Sequence, residues 1–370
     1  MHTDWLLPDL VFDGESLCEH KALRVKDNAI EGVYDASSAP EGARRISGIL
    51  SPGFIDLQVN GGGGVLFNAA PTPKGISAII AAHRKFGTTG LLPTVITDAS
   101  DVMEKAVNAV LAADGLAGML GIHIEGPHIS VSRRGTHAEC FVRPMDKSTM
   151  LQVERLRNAD IAVMITLAPE AATVDQIAYL ASLGAVVSIG HSDASSDDTK
   201  RAIEAGAKCA THLFNAMSPM LNRAPGVTGA VINSNIAAGM IVDGIHVSDE
   251  MIGLAMRARP VKDKMFLVSD AMPTVGGPDK FNLYGVDVHL ENGRIVNDEG
   301  SLAGAHLTLA KGVHRLANVV GIDRTQTLRA AITVPSNLIG CTERAKIVGM
   351  PLNDLICLDA DLQFTGFLES

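Results

Sequence analysis

Cysteines and long hydrophobic segments are scarce in this chain of 370 residues. The five cysteines are scattered and odd in number, without a CxxC pair, which excludes a disulfide framework and favours reduced thiols in the cytoplasm. No apolar run approaches the roughly 20 residues of a membrane span. The first residues lack the basic and apolar regions of a signal peptide. We therefore expect a cytoplasmic protein without a membrane partner.

Basic residues are fewer than acidic ones, and aromatic residues are rare. With 31 Lys and Arg against 41 Asp and Glu, the formal net charge is −10, which argues against a nucleic-acid partner. A small anionic ligand is still compatible, because a few local cations suffice to bind it. Hydrophobic residues make up 46% of the chain but aromatic residues only 4%. This composition predicts an aliphatic core, as expected of strands covered by helices.

Two kinds of segment divide the chain. Residues 1–49 alternate apolar and polar residues around turns, which is typical of antiparallel strands. From Ser51 onward, strand-like runs alternate with alanine-rich helical stretches, and about six to eight such units favour a parallel (β/α)8 barrel over an open sheet. Residues 346–370 return to short strands. We predict an α/β protein with a barrel at 50–345 and a small β-sandwich domain, formed by both chain termini, at 1–49 plus 346–370.

Four apolar runs end on a residue that can hold a metal or move a proton: Glu125, His191, His212 and Asp270. Each has an ordinary alternative interpretation, namely a solvated carboxylate, a core histidine or a helix cap. Their repetition at strand ends favours a shared site, because such barrels place their chemistry at the carboxyl ends of the strands. Two histidines and one carboxylate are a common ligand set for catalytic zinc, and Asp270 is then a natural general base.

Several loops near these strand ends carry polar residues. Asn215 and the Ala216 amide follow His212, and Arg223 lies further along that loop as a phosphate partner or, alternatively, a surface cation. His246 ends another strand, and His137 lies on a long loop after Glu125. His128 and His306 are interpreted as structural or peripheral. Gly61 to Gly64 lack a following Gly-Lys-Ser/Thr, so we expect a tight turn there instead of a phosphate loop.

Ten motifs together resemble the N-acetylglucosamine-6-phosphate deacetylases of the amidohydrolase superfamily, and the resemblance covers essentially the whole chain. In order they are PGFIDLQVNGGGG, HIEGPH, RRGTHAE, TLAPE, GHSDAS, THLFNAM, RAPGVTGA, VDGIHV, VSDAM and SLAGAHLT. The resemblance implies a barrel with a terminal β-sandwich, a homodimer, and hydrolysis of N-acetyl-D-glucosamine 6-phosphate to D-glucosamine 6-phosphate and acetate in amino-sugar catabolism. Part of the phosphate contact can come from the neighbouring subunit.

The resemblance also implies roles for individual residues. Glu125, His191 and His212 match the metal ligands, Asp270 the acid/base, and His137 the group that polarises the acetyl carbonyl. The sugar-phosphate contacts match Thr136, His137, Asn215, Ala216, Arg223, Asp243, Gly244, Ile245, His246, Leu302, Ala303 and Gly304.

Gln58 and Asn60 stand where many amidohydrolases place a His-x-His pair. Because neutral amides are poor ligands for a second transition metal, we expect one divalent ion per subunit, Zn²⁺ first, with Fe²⁺, Co²⁺ or Mn²⁺ as alternatives. The main functional alternative is a deacetylase of N-acetylgalactosamine 6-phosphate or another N-acyl sugar phosphate. Cyclic-amide opening, which typically uses two metals, and a non-catalytic sugar-phosphate sensor are further alternatives.

Overall fold

Strands and helices alternate through most of the computed structural model, which describes residues 4–297 and 302–368. The strands in these ranges are β1 (Asp4–Phe12), β2 (Leu17–Glu19), β3 (Lys21–Lys26), β4 (Ala29–Asp35), β5 (Arg44–Pro52), β6 (Phe54–Val59), β7 (Gly61–Gly62), β8 (Val65–Leu66), β9 (Thr88–Ile96), β10 (Ile122–Glu125), β11 (Val163–Leu167), β12 (Val186–Ile189), β13 (Cys209–Ala210), β14 (Ala237–Met240), β15 (Met265–Leu267), β16 (Lys280–Leu283), β17 (Val286–Glu291), β18 (Arg294–Asn297), β19 (Leu302–Ala305), β20 (Leu355–Leu358) and β21 (Phe364–Phe367).

The α-helices follow the strands of the central sheet. They are α1 (Pro73–Arg84), α2 (Ser100–Ala112), α3 (Lys147–Asn158), α4 (Val174–Ser182), α5 (Ser196–Glu204), α6 (Gly226–Ile232), α7 (Asp249–Ala258), α8 (Leu309–Asn318), α9 (Arg324–Leu328) and α10 (Val334–Leu338). Side-chain caps fix several of their first turns. In α4, for example, Thr173 and Gln176 form a capping box.

Eight parallel strands form the predicted barrel, in the order β6, β9, β10, β11, β12, β13, β14 and β15. The apolar side chains of seven of these strands, including Leu57, Met164 and Phe266, meet in one buried cluster, which is the barrel interior. Alternate residues of the strands face outward and pack against the helices in a second, larger cluster. Burial on both faces explains why strands such as β11 (VMITL), β12 (VVSI) and β15 (MFL) are almost entirely apolar.

The first and last barrel strands meet at a seam in which a side chain supplements the backbone pairing. The amide of Asp270 donates to the carbonyl oxygen of Gln58 at 3.0 Å. Just below, Oδ1 of the fully buried Asp56 accepts hydrogen bonds from the backbone amides of Gln58 and Ser269, both at 3.2 Å. Burial raises the pKa of Asp56 to about 7. The Asp56 carboxyl thus joins the two strands on which Gln58 and Asp270 lie.

Both chain termini contribute to one further β structure, as predicted. Its seven strands have the order β21, β20, β5, β1, β3 and β4, with β2 paired to β1. β5 pairs parallel with β1 and antiparallel with β20, so the amino-terminal and carboxyl-terminal segments are joined through β5. The division of the chain at residues 49/50 and 345/346 stays a prediction.

A four-stranded antiparallel sheet, β16 to β19, lies between β15 and α8 and was not anticipated from the sequence. Its first two hairpins turn through Tyr284–Gly285 and Asn292–Gly293, and all four residues have positive φ, as two-residue hairpin turns of type I′ require. We call this element the hairpin sheet. Gly63 and Gly64 make a similar turn between β7 and β8, which agrees with the predicted tight turn.

No helix in the described ranges is both long enough and apolar enough to cross a membrane.

Candidate active site

Three of the four predicted strand ends converge on one point, which we call the Glu-His-His cluster: Glu125, His191 and His212. Oε1 of Glu125 lies 3.1 Å from Nε2 of His191 and 3.0 Å from Nε2 of His212, and the two nitrogens are 3.1 Å apart. All three side chains are buried. Glu125 ends β10, and the histidines follow β12 and β13, so parallel neighbouring strands deliver them to the same barrel rim.

The contacts of the Glu-His-His cluster suit a bound cation. Nδ1 of His191 donates to the carbonyl oxygen of Arg133 at 2.9 Å, which leaves Nε2 as the ring nitrogen that faces the Glu125 carboxylate. Nitrogen and carboxylate oxygen atoms this close require a proton or a metal ion between them. Nδ1 of His212 is buried without a hydrogen-bond partner among the described residues. Two imidazoles and a carboxylate are a suitable ligand set for a divalent ion such as Zn²⁺.

Electrostatics keep Glu125 available as an anionic ligand. Burial raises the pKa of this carboxyl, but the two adjacent imidazoles outweigh burial and hold its pKa well below its usual range. For His212, burial lowers the pKa and the Glu125 carboxylate raises it, with a net rise. A buried carboxylate that is ionised beside two histidines favours binding of a cation over a neutral ligand.

Backbone strain marks the same positions. His191, His212 and Asp270 have φ values of 48°, 31° and 50°, in the left-handed region that non-glycine residues rarely adopt. Such residues cost of order 1–3 kcal/mol each and cluster at functional sites, where the surrounding structure holds them. The left-handed conformation after these three strands therefore supports a functional role for the three side chains.

Asp270 faces the Glu-His-His cluster from the barrel seam. Its Oδ1 accepts hydrogen bonds from the amides of Asn60, at 2.7 Å, and Gln58, at 3.2 Å. Its Oδ2 makes no hydrogen bond with the described residues, and the side chain lines a cavity. Removal from bulk water, followed by repulsion from Glu125, raises the pKa of Asp270 to about 6. One oxygen is thus fixed in place while the other is free to exchange a proton.

Gln58 and Asn60 serve as hydrogen-bond donors at this site. In addition to its bond to Asp270, the Gln58 amide donates to Oε1 of Glu125 at 3.0 Å. The two amides therefore occupy the space beside Glu125 and Asp270 with N–H groups instead of imidazole lone pairs. Their arrangement supports the expectation of a single metal ion.

His137 reaches over the cluster from the loop after β10. Its ring packs against that of His191, with centroids 4.4 Å apart and the planes tilted by 43°, and its Nδ1 lies 2.6 Å from Oγ1 of Thr97. Burial, and after it the neighbouring His191, lowers the pKa of His137 to about 3, so the ring is neutral. A neutral ring can donate a hydrogen bond only from the nitrogen that carries its proton.

A cavity of about 210 Å³ opens above these groups. It brings together the Glu-His-His cluster, Asp270, His137 and part of the predicted substrate set, namely Thr136, Asn215, Ala216, His246, Leu302 and Gly304. Asp243 organises one wall, because its carboxylate accepts from Nδ1 of His246 at 2.6 Å and from the backbone amides of Ile245 and His246. Burial raises the pKa of Asp243, but the His246 side chain and the backbone amides of Ile245 and His246 together outweigh burial and lower the pKa overall.

Other predicted substrate residues lie outside this lining. Asp243 and Ile245 line a different cavity beside α8, next to the exposed Gly244. Ala303 lines a third cavity between the Arg134–Ala138 loop and the hairpin sheet. Arg223 lies on an exposed loop. Within one chain, five predicted residues therefore lie outside the cavity that holds the cluster: Asp243, Gly244, Ile245, Ala303 and Arg223.

The two histidines interpreted as peripheral make structural contacts. His128 is buried, with Nε2 at 2.8 Å from Oγ1 of Thr149 and Nδ1 at 2.9 Å from the Pro144 carbonyl oxygen, so it ties the loop after β10 to α3. Nδ1 of His306 lies 2.9 Å from Oγ1 of Thr274, and His306 lines the cavity beside α8.

Sequence reasoning missed several residues of the site. Ile96, Ile241 and Met272 supply apolar lining, and Thr97 contacts His137. Thr97 follows β9 directly, so the strand-end argument that found Glu125 applied to it as well. The prediction did not include Thr97, because threonine is neither a common metal ligand nor a common acid or base.

Comparison with known proteins places the chain in a family. The amidohydrolase family model matches residues 49–340. This chain belongs to the amidohydrolase family. It is 39% identical over 356 residues to an N-acetylgalactosamine-6-phosphate deacetylase from a Shewanella species, covering 94% of this chain and 89% of the relative. It is 30% identical over 332 residues to the N-acetylglucosamine-6-phosphate deacetylase of Haemophilus influenzae, covering 87% and 86%.

Solved structures of this amidohydrolase branch have the same fold. The N-acetylglucosamine-6-phosphate deacetylase of Pasteurella multocida superposes with a TM-score of 0.91 at 35% identity, covering 99% of this chain and 98% of the other. A mutant of the Mycobacterium smegmatis enzyme, in complex with N-acetyl-D-glucosamine-6-phosphate, superposes with a TM-score of 0.88 at 29% identity, covering 99% and 97%. The resemblance to this group of deacetylases is confirmed.

Proposed function

We propose that this amidohydrolase removes the acetyl group from N-acetyl-D-glucosamine 6-phosphate, giving D-glucosamine 6-phosphate and acetate in cytoplasmic amino-sugar catabolism. The observation that carries the proposal is the Glu-His-His cluster facing Asp270 across one cavity. Relatives and structural neighbours with this activity support the choice of substrate class.

Glu125, His191 and His212 hold one divalent ion per subunit in this proposal, with Zn²⁺ preferred on ligand type and Fe²⁺, Co²⁺ or Mn²⁺ as alternatives. When bound, such an ion supplies an acidified water and Lewis acidity toward the amide carbonyl. The chain itself supplies the proton transfers. Oδ2 of Asp270 takes the proton of the attacking water and then delivers it to the departing amine, since Oδ1 is fixed by Gln58 and Asn60.

His137 steadies the negative charge that develops on the carbonyl oxygen. The His137 ring is buried and lines the cavity beside the cluster, so a hydrogen bond donated from it would act directly on the carbonyl oxygen. Catalysis then requires that Nε2, the ring nitrogen not bonded to Thr97, carries the proton.

The sugar and its phosphate are assigned to the remaining polar rim. Thr136, Asn215, the Ala216 amide, His246 and the Leu302–Gly304 segment contact the sugar phosphate, and the Asp243–His246 turn fixes the His246 ring. Arg223 is exposed and outside the cavity lining of its own chain. Its position supports a homodimer in which Arg223 reaches the phosphate site of the neighbouring subunit.

A second candidate substrate is N-acetylgalactosamine 6-phosphate. The specific observation in its favour is the 39% identity to a deacetylase of that name, over 94% of this chain. The two substrates differ only in the orientation of one hydroxyl group, so the same cluster and the same proton carrier serve both.

Acetate release from a panel of N-acetylhexosamines tests the proposal on protein of known metal content. We expect turnover of N-acetylglucosamine 6-phosphate, with the galacto isomer as the comparison and unphosphorylated N-acetylglucosamine as the control for the phosphate contact. Equal use of the unphosphorylated sugar would contradict the phosphate assignment. Binding of the phosphorylated sugars without any acetate release would instead indicate a sensor.

A further inference from the structure

We propose that Thr97 is a positioning residue for His137, because its hydroxyl selects which nitrogen of the imidazole carries the proton. The inference rests on the proposed function, in which His137 donates a hydrogen bond to the developing oxyanion. Thr97 is fully buried directly after β9 and does not itself line the cavity.

The Thr97 hydroxyl has one proton and two neighbouring acceptors. Nδ1 of His137 lies 2.6 Å from Oγ1, whereas the carbonyl oxygen of Glu125 lies 3.4 Å away. The second distance is beyond the usual range of about 2.5–3.0 Å for a hydroxyl donor to oxygen. The geometry therefore assigns the hydroxyl proton to Nδ1 of His137. With Nδ1 as acceptor, the neutral ring carries its own proton on Nε2 and offers a donor to the cavity.

The opposite arrangement would disable His137. If Thr97 donated to the Glu125 carbonyl, it would accept from a protonated Nδ1, and Nε2 would present a lone pair to the reaction site. A lone pair repels an oxyanion, whereas an N–H stabilises it. The atom that receives the Thr97 hydroxyl proton therefore decides whether His137 stabilises or repels the oxyanion.

Contacts on both sides fix the peptide at Thr97. The Asn68 side chain donates to the carbonyl oxygen of Ile96 at 2.9 Å and accepts from the Ile96 amide at 3.0 Å. The hydroxyl of Tyr284, from the tip of the first hairpin of the hairpin sheet, donates to the carbonyl oxygen of Thr97. Since the backbone cannot shift freely, the hydroxyl stays within reach of Nδ1.

The test compares T97V, which removes the hydroxyl at similar size, with T97S, which keeps it. We expect T97V to lower kcat at least tenfold, approaching the roughly 10²–10³-fold cost of losing an oxyanion donor, with little change in KM. T97S is expected to restore most of the turnover. T149V is the matched control, because Thr149 makes a buried hydrogen bond to His128 away from the cavity, and its loss should change thermal stability but not kcat.

A double-mutant cycle with H137Q separates positioning from general structural damage. If Thr97 acts through His137, T97V should lower the turnover of H137Q by less than threefold. A full tenfold loss in that background, wild-type turnover in T97V, or failure of T97S to restore turnover would each overturn the inference. Wild-type protein that releases no acetate would instead overturn the proposed function.

Nitrogen-15 spectra of the histidine rings give a readout that does not depend on the folding of T97V. In the metal-loaded wild type, the signals absent from H137Q should show a protonated Nε2 and an unprotonated Nδ1. The reverse tautomer would overturn the assignment even if the kinetic results agreed with it.

Discussion

Replacing Asn60 by leucine should shift the pH dependence of catalysis by an amount that follows from the contacts of Asp270. The Asn60 amide donates to Oδ1 of Asp270 at 2.7 Å, in a site where burial and Glu125 already raise the pKa of Asp270 to about 6. A hydrogen bond to a charged group contributes about 1.5–3 kcal/mol. Since about 1.4 kcal/mol corresponds to one pKa unit, its loss should raise the pKa of Asp270 by about 1–2 units.

The sign follows from the role of the ionised form. Asp270 must be deprotonated to accept a proton, so activity is lost as the pH falls through its pKa. In N60L that loss should begin about 1–2 pH units higher than in the wild type. A bound cation lowers the pKa of Asp270 in both proteins, because it favours the carboxylate. The difference in this pKa between the wild type and N60L remains.

The assay is kcat/KM for acetate release as a function of pH, on protein assayed for metal. N233L provides a control, because the Asn233 amide donates to the Gly229 carbonyl oxygen at the end of α6, away from Asp270. The reasoning would be refuted by an acid limb in N60L that coincides with the wild-type limb or moves to lower pH. It would also be refuted if N233L shifted the limb equally.

Two further predictions concern the same site. In D270N, the amides of Gln58 and Asn60 can still donate to the side-chain oxygen, so metal content and KM should stay near wild type while kcat falls about 10²–10⁴-fold; near-normal turnover would contradict the assigned role. Removal of metal with a chelator should abolish acetate release and lower the melting temperature, because a ligand at 100 times its Kd stabilises the folded state by about 2.7 kcal/mol. Zn²⁺ should restore both properties, and full activity of the metal-free protein would rule out the ligand assignment.

The barrel was predictable because each of its units is encoded locally. Residues 54–60 and 89–97 are short strand-like segments rich in β-branched and aliphatic residues, and helical stretches such as 101–115 follow them, which is how the strands and covering helices of a parallel sheet alternate in sequence. The strand-end argument likewise anticipated the Glu-His-His cluster, because parallel strands bring their carboxyl ends to one rim. The roles of these residues stay predictions until they are tested.

The contacts that tune the site were not predictable in the same way. Tyr284 and Thr97 are 187 positions apart, and no local pattern links them. The hairpin sheet was missed although β16 (KFNL) and β17 (VDVHLE) alternate polar and apolar residues and Asn292–Gly293 is a strong hairpin signal. Gln58 and Asn60 were recognised only as poor ligands, because their value as donors depends on Asp270, which is brought beside them by barrel closure.

The barrel seam makes the catalytic geometry depend on residues that are far apart in the chain. Glu125, His191 and His212 come from β10, β12 and β13, a compact stretch of the chain, whereas Asp270 meets Gln58 across a separation of 212 residues. The contact between Glu125 and His212 spans 87 residues, so joining the two ends of the barrel closes a much longer loop and costs more conformational entropy. The Asp56 carboxyl lies at this joint, so the distance between Asp270 and the metal ligands depends on a contact between the two ends of the barrel sequence.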